Sequence, residues 1–152
     1  MQLTVYTDYS LRVLIYLGVH RGNVATIADI ARKYRISRNH IVKIVHHLAS
    51  EGFVRTIRGR NGGMSLAREP ETINLADVVL KTEPTFQLVE CFRGEGDCCI
   101  EEACRFRGAL NRALQSFFTV LGEYTLADLI EDKSELLQFL NFVNIPINTL
   151  IQ

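Results

Sequence analysis

Four cysteines form the one cluster in this sequence whose residue types and spacing suggest chemistry. Cys91, Cys98, Cys99 and Cys104 all lie within fourteen residues of the 152-residue chain. Disulfide scaffolds distribute their cysteines so that the bridges join distant segments, whereas thiolates gathered in a short loop with glycines can converge on a metal ion or an iron-sulfur cluster. The spacing therefore indicates a cofactor site.

Disulfides and structural zinc are the alternatives to an iron-sulfur cluster. The N-terminal sequence lacks the charged and apolar regions of a signal peptide, so we expect a cytoplasmic protein in a reducing compartment, where disulfides are rare. Structural zinc sites usually pair ligands as C-x2-C, but six residues separate Cys91 from Cys98 and five separate Cys98 from Cys104. The spacing favours an iron-sulfur cluster and leaves zinc open. One of the vicinal Cys98 and Cys99 could also be a small buried residue.

The charge of the chain is divided between its two halves. Residues 1–70 hold 11 Lys and Arg against 4 Asp and Glu, a net charge of +7, while residues 71–152 hold 6 against 13, a net charge of −7. This asymmetry indicates one half that binds a polyanion and another that senses or dimerises. No apolar run is long enough to span a membrane. No motif suggests catalysis, so we do not expect an enzyme.

Two amphipathic helices are predicted at the start of the basic half. Thr7 or Asp8 is expected to cap the first, whose apolar residues repeat every three or four positions before a stop signal at Gly22. Thr26 and Asp29 form a T-x-x-D capping pattern for the second helix. These starts place both helices before residue 36.

A third helix and a hairpin complete a predicted winged helix-turn-helix. The third helix starts at Ser37, and its apolar residues share one face: Ile41, Ile44, Val45 and Leu48. With the second helix it fits a helix-turn-helix over about residues 28–51. Residues 53–66 then predict a two-stranded β wing with a glycine-rich, basic turn.

Polar side chains on these elements are candidates for contacts with double-stranded DNA. The candidates are Arg38, Asn39, His40 and Lys43 on the third helix and Arg58, Arg60 and Asn61 in the wing turn. Arg and Asn form bidentate contacts with guanine and adenine edges in the major groove, and arginines of a wing reach phosphates or the minor groove. Ordinary solvated surface is the alternative for each element alone, but their combination on the basic half favours DNA binding.

The acidic half predicts a short helix, the cysteine loop and a long helix for dimerisation. Asn74 and Asp77 bracket the short helix, and the long helix carries a seam-like stripe of Leu110, Leu114, Phe117 and Leu121. Packing on the core of the same chain is the alternative for that stripe. The predicted fold is mainly α, with a winged-helix domain over residues 1–82, a cysteine loop and dimerisation helix over 83–133, and a tail of unknown role over 134–152.

Four motifs, in order, resemble the NsrR family of bacterial nitric-oxide-sensing repressors, which are related to the iron-sulfur regulator IscR. The motifs are Thr7–Arg12, Ser37–Ile44, the wing turn Arg58–Gly63 and the cysteine loop. The resemblance covers about residues 1–133, and it is specific because the motifs occur together. It implies a homodimeric repressor that binds a near-palindromic operator while its cluster is intact and releases it on exposure to nitric oxide.

The resemblance also implies a ligand set. Cys91, Cys98 and Cys104 match the cysteine ligands of the cluster, Cys99 is not a ligand, and Asp8 matches an aspartate that completes the shell from the other subunit. The IscR branch has a histidine three residues after the last cysteine, where this chain has Arg107. An oxygen ligand on one iron favours a 4Fe-4S cluster over 2Fe-2S. An iron-sulfur electron carrier and a DNA-binding protein with structural zinc are the alternatives.

Overall fold

The computed structural model describes residues 2–59, 62–93, 98–100 and 103–142 of the chain. Within these residues the fold is mainly helical with one small antiparallel sheet. In chain order the elements are α1 (Val5–Val19), α2 (Ile27–Tyr34), α3 (Arg38–Ser50), β1 (Val54–Ile57), β2 (Gly63–Leu66), α4 (Leu75–Thr82), α5 (Arg105–Gly122), α6 (Leu126–Leu129) and α7 (Lys133–Phe142). Short 3-10 helices cover Pro70–Thr72 and Glu90–Arg93. The predicted mainly α winged-helix fold is thus confirmed.

The hydrophobic core forms around α1. This helix contacts α2, α3, α4, α6, α7 and β2, and its Val13 and Leu14 are fully buried. The apolar face predicted for α3 is buried as expected: Ile41, Ile44, Val45 and Leu48. Because α1 and α3 share this core, the orientation of α3 is set by packing rather than by its short connection to α2.

The wing is an antiparallel hairpin that also pairs with Ala25, two residues before α2. Val54 lies opposite Leu66 and Ile57 opposite Gly63. Ala25 and Met64 exchange two backbone hydrogen bonds, of 3.0 and 2.8 Å. A Cβ atom at Gly63 would lie 2.4 Å from the carbonyl oxygen of Ala25, so this close approach requires glycine. The wing is therefore attached to α2 as well as to α3.

The predicted starts of α2 and α3 are confirmed. The backbone N–H of Asp29 donates to the Thr26 hydroxyl and the N–H of Thr26 donates to the Asp29 carboxylate, both at 3.2 Å, which completes a capping box. The N–H of His40 donates to the hydroxyl of Ser37 at 3.3 Å. Arg35, in the turn between the helices, adopts a left-handed conformation with φ of 55°.

The predicted cap of α1 is wrong. Thr4, rather than Thr7 or Asp8, is the N-cap, and its hydroxyl accepts a hydrogen bond from the N–H of Thr7 at 3.3 Å. Glu83, at the end of α4, fixes Thr4 by accepting hydrogen bonds from its N–H at 2.6 Å and from its hydroxyl at 3.0 Å. The start of α1 is thus decided by a residue far along the chain.

The C-terminal helices return to α1. Leu126 of α6 is fully buried and Leu140 of α7 is nearly so, in the same cluster as the apolar residues of α1. Lys33 of α2 is also buried, and its ammonium group donates to the carbonyl oxygen of Leu140 at 3.0 Å. Residues 143–152 of the predicted tail lie outside the described residues. Among the helices that the structure describes, none is long and apolar enough to cross a membrane.

Candidate functional site

The outward face of α3 is the candidate surface for reading DNA. Asn39 and Lys43 lie on the side of the helix opposite its buried face, and both are exposed. Two residues that the sequence interpretation missed share this face: Val42, with 51% of its surface exposed, and His46. Their signal was the spacing, because each lies three residues after one of the predicted contacts. Val42 is an exposed apolar side chain of the kind that can contact a thymine methyl group.

The other two predicted contacts on α3 lie at the edges of that face. Arg38 lines a groove between α3 and the wing, together with Thr56 and Ile57 of β1. His40 lies toward α1, where its ring centroid is 6.3 Å from that of Tyr9. Both side chains are exposed. Arg38 and His40 therefore flank the outward face of α3. If Asn39 and Lys43 face the floor of the DNA major groove, these two side chains are placed to contact its sides.

The tip of the wing carries Arg58, which is exposed. The other two predicted wing contacts, Arg60 and Asn61, lie outside the described residues. Arg55, on β1, is exposed as well, but its Nε donates to the hydroxyl of Ser65 at 2.8 Å across the hairpin. The described part of the wing thus offers two exposed guanidinium groups, that of Arg55 within β1 and that of Arg58 directly after it.

Polar contacts connect α3 to α1 and to α4. The hydroxyl of Tyr6 on α1 lies 3.0 Å from Nδ1 of His47 on α3, and burial raises the pKa of that tyrosine. At the end of α3, Lys81 of α4 lies 2.8 Å from the Glu51 carboxylate. The hydrogen bond from Lys81 lowers the pKa of Glu51. The helix that precedes the cysteine loop therefore touches the end of the candidate reading helix.

The four cysteines are distributed between a short 3-10 helix, the start of the long helix α5 and the segment between them. Cys91 lies in the 3-10 helix Glu90–Arg93 and is half-buried, and Cys104 is the half-buried N-cap residue of α5. Cys98 and Cys99 are exposed. Residues 94–97, 101 and 102 lie outside the described residues. Among the residues that are described, no three His, Cys, Asp or Glu side chains form a group arranged to hold a metal ion.

The donor set of this loop fits an iron-sulfur cluster. All four thiols are free rather than paired in disulfides. Thiolate sulfur is the usual protein ligand of such clusters. Cys104 has no side-chain hydrogen bond to the backbone N–H groups of α5, and the positive end of the helix dipole favours negative charge at that position. The chain therefore offers exposed or half-exposed sulfurs at both ends of the loop.

Asp8 lies in the first turn of α1, where it pairs with Arg12. The closest approach between the carboxylate and the guanidinium is 2.7 Å, and a second hydrogen bond from Nε of Arg12 measures 3.1 Å. About half of the surface of the Asp8 side chain is exposed, at 49%. Because Thr4 caps the helix, Asp8 has no capping role, and its carboxylate is accessible from outside the chain.

The long helix α5 leaves apolar side chains uncovered. All eighteen of its residues are described, and none is buried in the chain. The residues of the predicted stripe are half-buried, α4 packs against α5, and Phe86 contacts the neighbouring Phe118, with 4.8 Å between the ring centroids. Phe106 is 64% exposed and Val120 is 52% exposed. The uncovered apolar line on α5 is thus displaced by one position from the predicted one and includes residues 106, 113 and 120.

Comparisons with known proteins identify a family of transcriptional regulators. The family model for Rrf2, described as an iron-dependent transcriptional regulator, matches residues 3–132. The transcriptional regulator NsrR of Geobacillus kaustophilus is 49% identical over 138 residues, which cover 90% of this chain and 94% of that protein. NsrR of Shouchella clausii is 46% identical over 144 residues, which cover 93% and 97%.

A solved structure supports the fold. IscR of T. potens superposes with a TM-score of 0.71 at 23% sequence identity and covers 90% of each chain. That identity supports the fold alone, whereas the family match and the curated relatives support a regulator rather than an enzyme. The chain with this winged helix and cysteine loop belongs to the Rrf2 family of transcriptional regulators, and its partner is DNA.

Proposed function

We propose that this regulator is a homodimeric iron-sulfur repressor that binds operator DNA while its cluster is intact and releases the DNA when nitric oxide reacts with the cluster. The observation that carries the proposal is the position of the cysteine loop. It joins α4, which touches both α1 and the end of α3, to α5, whose apolar side chains are uncovered. A ligand bound in this loop would act on the DNA-reading and dimerising elements together.

Cys91, Cys98 and Cys104 are the proposed cysteine ligands, and Asp8 of the second subunit is the proposed fourth. When bound, the cluster supplies an iron that nitric oxide can reach, because a carboxylate exchanges more readily than a thiolate. A differentiated iron of this kind suits a 4Fe-4S cluster. Asp8 supports the assignment because its carboxylate is half-exposed, and ligation would compete with its pair with Arg12.

The dimer interface is proposed to lie on α5. Phe106, Leu110, Ala113, Phe117 and Val120 repeat at intervals of four and three residues, which is the spacing of a coiled-coil seam. The same end of α5 borders a cavity of about 450 Å³ whose lining includes Phe106, Leu110 and the residues after α4. A twofold dimer on this seam would place two winged helices on the two half-sites of a near-palindromic operator.

The vicinal cysteines provide a matched test of the ligand set. Cys98→Ala, like Cys91→Ala and Cys104→Ala, should abolish the visible absorbance and the bound iron and sulfide of anaerobically purified protein, whereas Cys99→Ala should keep them. Cys99 is a close control because it neighbours Cys98 and is also exposed. Loss of the cluster in Cys99→Ala with retention in Cys98→Ala would reverse the assignment. If the parent chain contained stoichiometric zinc and no iron, the cluster assignment would be wrong and the loop would be a structural zinc site.

DNA binding by the same preparations tests the switch. A suitable probe is a duplex that the unaltered, cluster-containing chain enriches from a random-sequence library. We expect the cluster-containing protein to bind this duplex and the nitric-oxide-treated protein to release it, at a fixed salt concentration. Equal affinity before and after treatment would exclude release of the DNA by nitric oxide, but it would not contradict the proposal that the chain binds DNA. Absorbance recorded on the same samples verifies that the cluster has reacted.

A further inference from the structure

Arg68 connects the wing to the end of α3. It lies two residues after β2, and its guanidinium donates through Nε to the carbonyl oxygen of Gly52 at 2.8 Å and through Nη2 to that of Glu51 at 2.9 Å. Its Cζ lies 4.7 Å from the centre of the ring of Phe53, which is buried. One side chain therefore contacts three groups at the junction of α3 and the wing: two backbone carbonyls and an aromatic ring.

The two carbonyl groups belong to the end of a helix. Glu51 is the C-cap residue of α3, and Gly52 follows it with a φ of 73°, in the left-handed region that favours glycine. Carbonyls at this position have no partner within the helix, and a cation there is favoured by the helix dipole. The planar guanidinium can bridge both carbonyls at once, which the single ammonium of lysine cannot do in the same geometry.

Backbone pairing holds the strand to which Arg68 is attached. The N–H of Ala67 donates to the carbonyl oxygen of Phe53 at 2.9 Å. Arg68 itself is exposed, and the hydrogen-bond partners of its guanidinium group are backbone carbonyls of the same chain. The contact therefore adds little to the buried core, but it restricts how the hairpin can rotate about the end of α3.

We propose that Arg68 is a positioning residue for DNA binding, which sets the angle between α3 and the wing so that Arg58 reaches the DNA when α3 lies in the major groove. This inference rests on the proposed use of α3 and the wing as DNA contacts. A direct contact of Arg68 with phosphate is the rival role, and it predicts an effect independent of Arg58. Positioning predicts that the two arginines depend on each other.

A double-mutant cycle between Arg68→Lys and Arg58→Ala tests the proposal on the full cluster-containing chain. The probe is the duplex enriched by the unaltered chain, at fixed salt and at a temperature where circular dichroism shows every variant folded. We expect Arg58→Ala to weaken binding by about tenfold, as for loss of one charged hydrogen bond. Arg68→Lys should weaken it by about the same factor, and adding Arg58→Ala to Arg68→Lys should change it by less than about twofold.

The outcomes separate the inference from the function on which it rests. Multiplying factors in the double variant would overturn the positioning role, and the DNA contact of the wing would stand. If Arg58→Ala is silent in a parent chain that still binds the duplex, the wing contact is wrong and the role of Arg68 falls with it. Absence of any DNA binding by the parent chain would refute the proposed function itself. Arg21→Lys is the control, because Arg21 is also an exposed arginine but pairs with Glu69 rather than with carbonyl groups at the end of α3.

Discussion

Apolar side chains are covered in the winged-helix domain and uncovered on α5. In the thirteen-residue α3, one complete face is buried, and Ile41 within it has no exposed surface. The eighteen residues of α5 are all described and include none that is buried, although Phe106 and Val120 would each favour burial. The difference indicates that one region is covered within the single chain, whereas α5 leaves apolar side chains available for the proposed dimer interface.

This division suits a sensor. A domain whose core is complete keeps its fold when a ligand elsewhere is lost, whereas a weakly covered helix can change its packing at small cost in free energy. The cysteine loop lies directly before that weakly covered helix, with Cys104 as its N-cap residue. Under the proposed function, loss of a cluster would therefore affect the arrangement of the proposed dimer before it affected the fold of the winged-helix region.

The largest expected effect comes from the core of the winged-helix domain. Ile41→Ala removes a fully buried side chain and should lower the free energy of unfolding by about 2–5 kcal/mol. Urea denaturation followed by circular dichroism at two protein concentrations measures it. If the domain is complete in one chain, the loss should not depend on protein concentration. A strong dependence would contradict the comparison.

A charge introduced on the exposed seam of α5 should weaken the association of two chains rather than the stability of one chain. Val120→Glu should weaken the dimer by about tenfold or more, because burial of such a side chain contributes roughly 1.5–3 kcal/mol, and should leave the fold of the monomer intact. Sedimentation over a range of concentrations measures the change. Gln115→Glu is the matched control, since it adds the same charge to an exposed position on the other side of the helix. Equal weakening by both variants would move the interface away from the seam.

The outward face of α3 should affect recognition without affecting stability. Asn39→Ala is expected to cost about 1–3 kcal/mol on the enriched duplex and to relax specificity at one base pair. Binding to a panel of single-base variants of the duplex measures both. Arg58→Ala is the contrast, because a phosphate contact should weaken all sequences alike. A uniform loss for Asn39→Ala would make it a phosphate contact too.

The capping box of α2 predicts a pH dependence within the winged-helix domain. The hydrogen bond from Thr26 lowers the pKa of Asp29 below its ordinary value of 3.8. A lowered folded-state pKa contributes stability that is fully present above the ordinary pKa and is lost as the pH falls through the folded-state pKa. Asp29→Ala should therefore cost about 0.5–1.5 kcal/mol at neutral pH, and the difference from the parent chain should shrink below about pH 4. Asp29→Asn, which accepts a hydrogen bond without titrating, should remove this pH dependence; an unchanged acid slope would assign it to other groups.

The smallest effect on stability is expected for Asp8. This residue tests the contrast between the winged-helix region and the sensing region, because it lies on α1 but is proposed to bind the cluster of the second subunit. Asp8→Ala removes a solvent-exposed pair with Arg12 and a first-turn acid, which together contribute about 0.3–1 kcal/mol. If Asp8 is a ligand of the second subunit, the same variant should still bind a cluster through three cysteines, yet show altered sensitivity to nitric oxide and weaker operator binding. Thermal unfolding, absorbance under nitric oxide and operator affinity separate the two roles. Unchanged reactivity and DNA affinity would remove Asp8 from the ligand set.

Local signals in the sequence were sufficient for much of the winged-helix domain. The capping box of Thr26 and Asp29, the cap at Ser37 and the buried face of α3 involve residues within one or two turns of each other. Such features depend on backbone groups and side-chain periodicity, which a sequence displays directly. The two-stranded wing was predictable for the same reason.

Features decided by distant residues were not predictable. The start of α1 depends on Glu83, which is 79 positions from Thr4. The uncovered line of α5 depends on which side α4 and Phe86 cover, and periodicity alone does not distinguish two apolar lines one position apart. For the candidate site, the sequence predicts the cysteines as ligands and some of the outward residues of α3 as DNA contacts, but it misses Val42 and His46, and a convergence of thiols from a loop is a matter of three-dimensional geometry.

The hydrogen bond between Lys33 and Leu140 makes α2 and the C-terminal helix depend on each other. A buried ammonium is tolerated where an acceptor lies within reach, and here the acceptor belongs to α7, which begins immediately after the residues matched by the family model. A chain shortened before α7 would lose this acceptor, so a substitution of Lys33 should cost less stability in the shortened chain than in the full-length one. Lys33 and α7 therefore form one coupled unit, in which a change to either alters the effect of a change to the other.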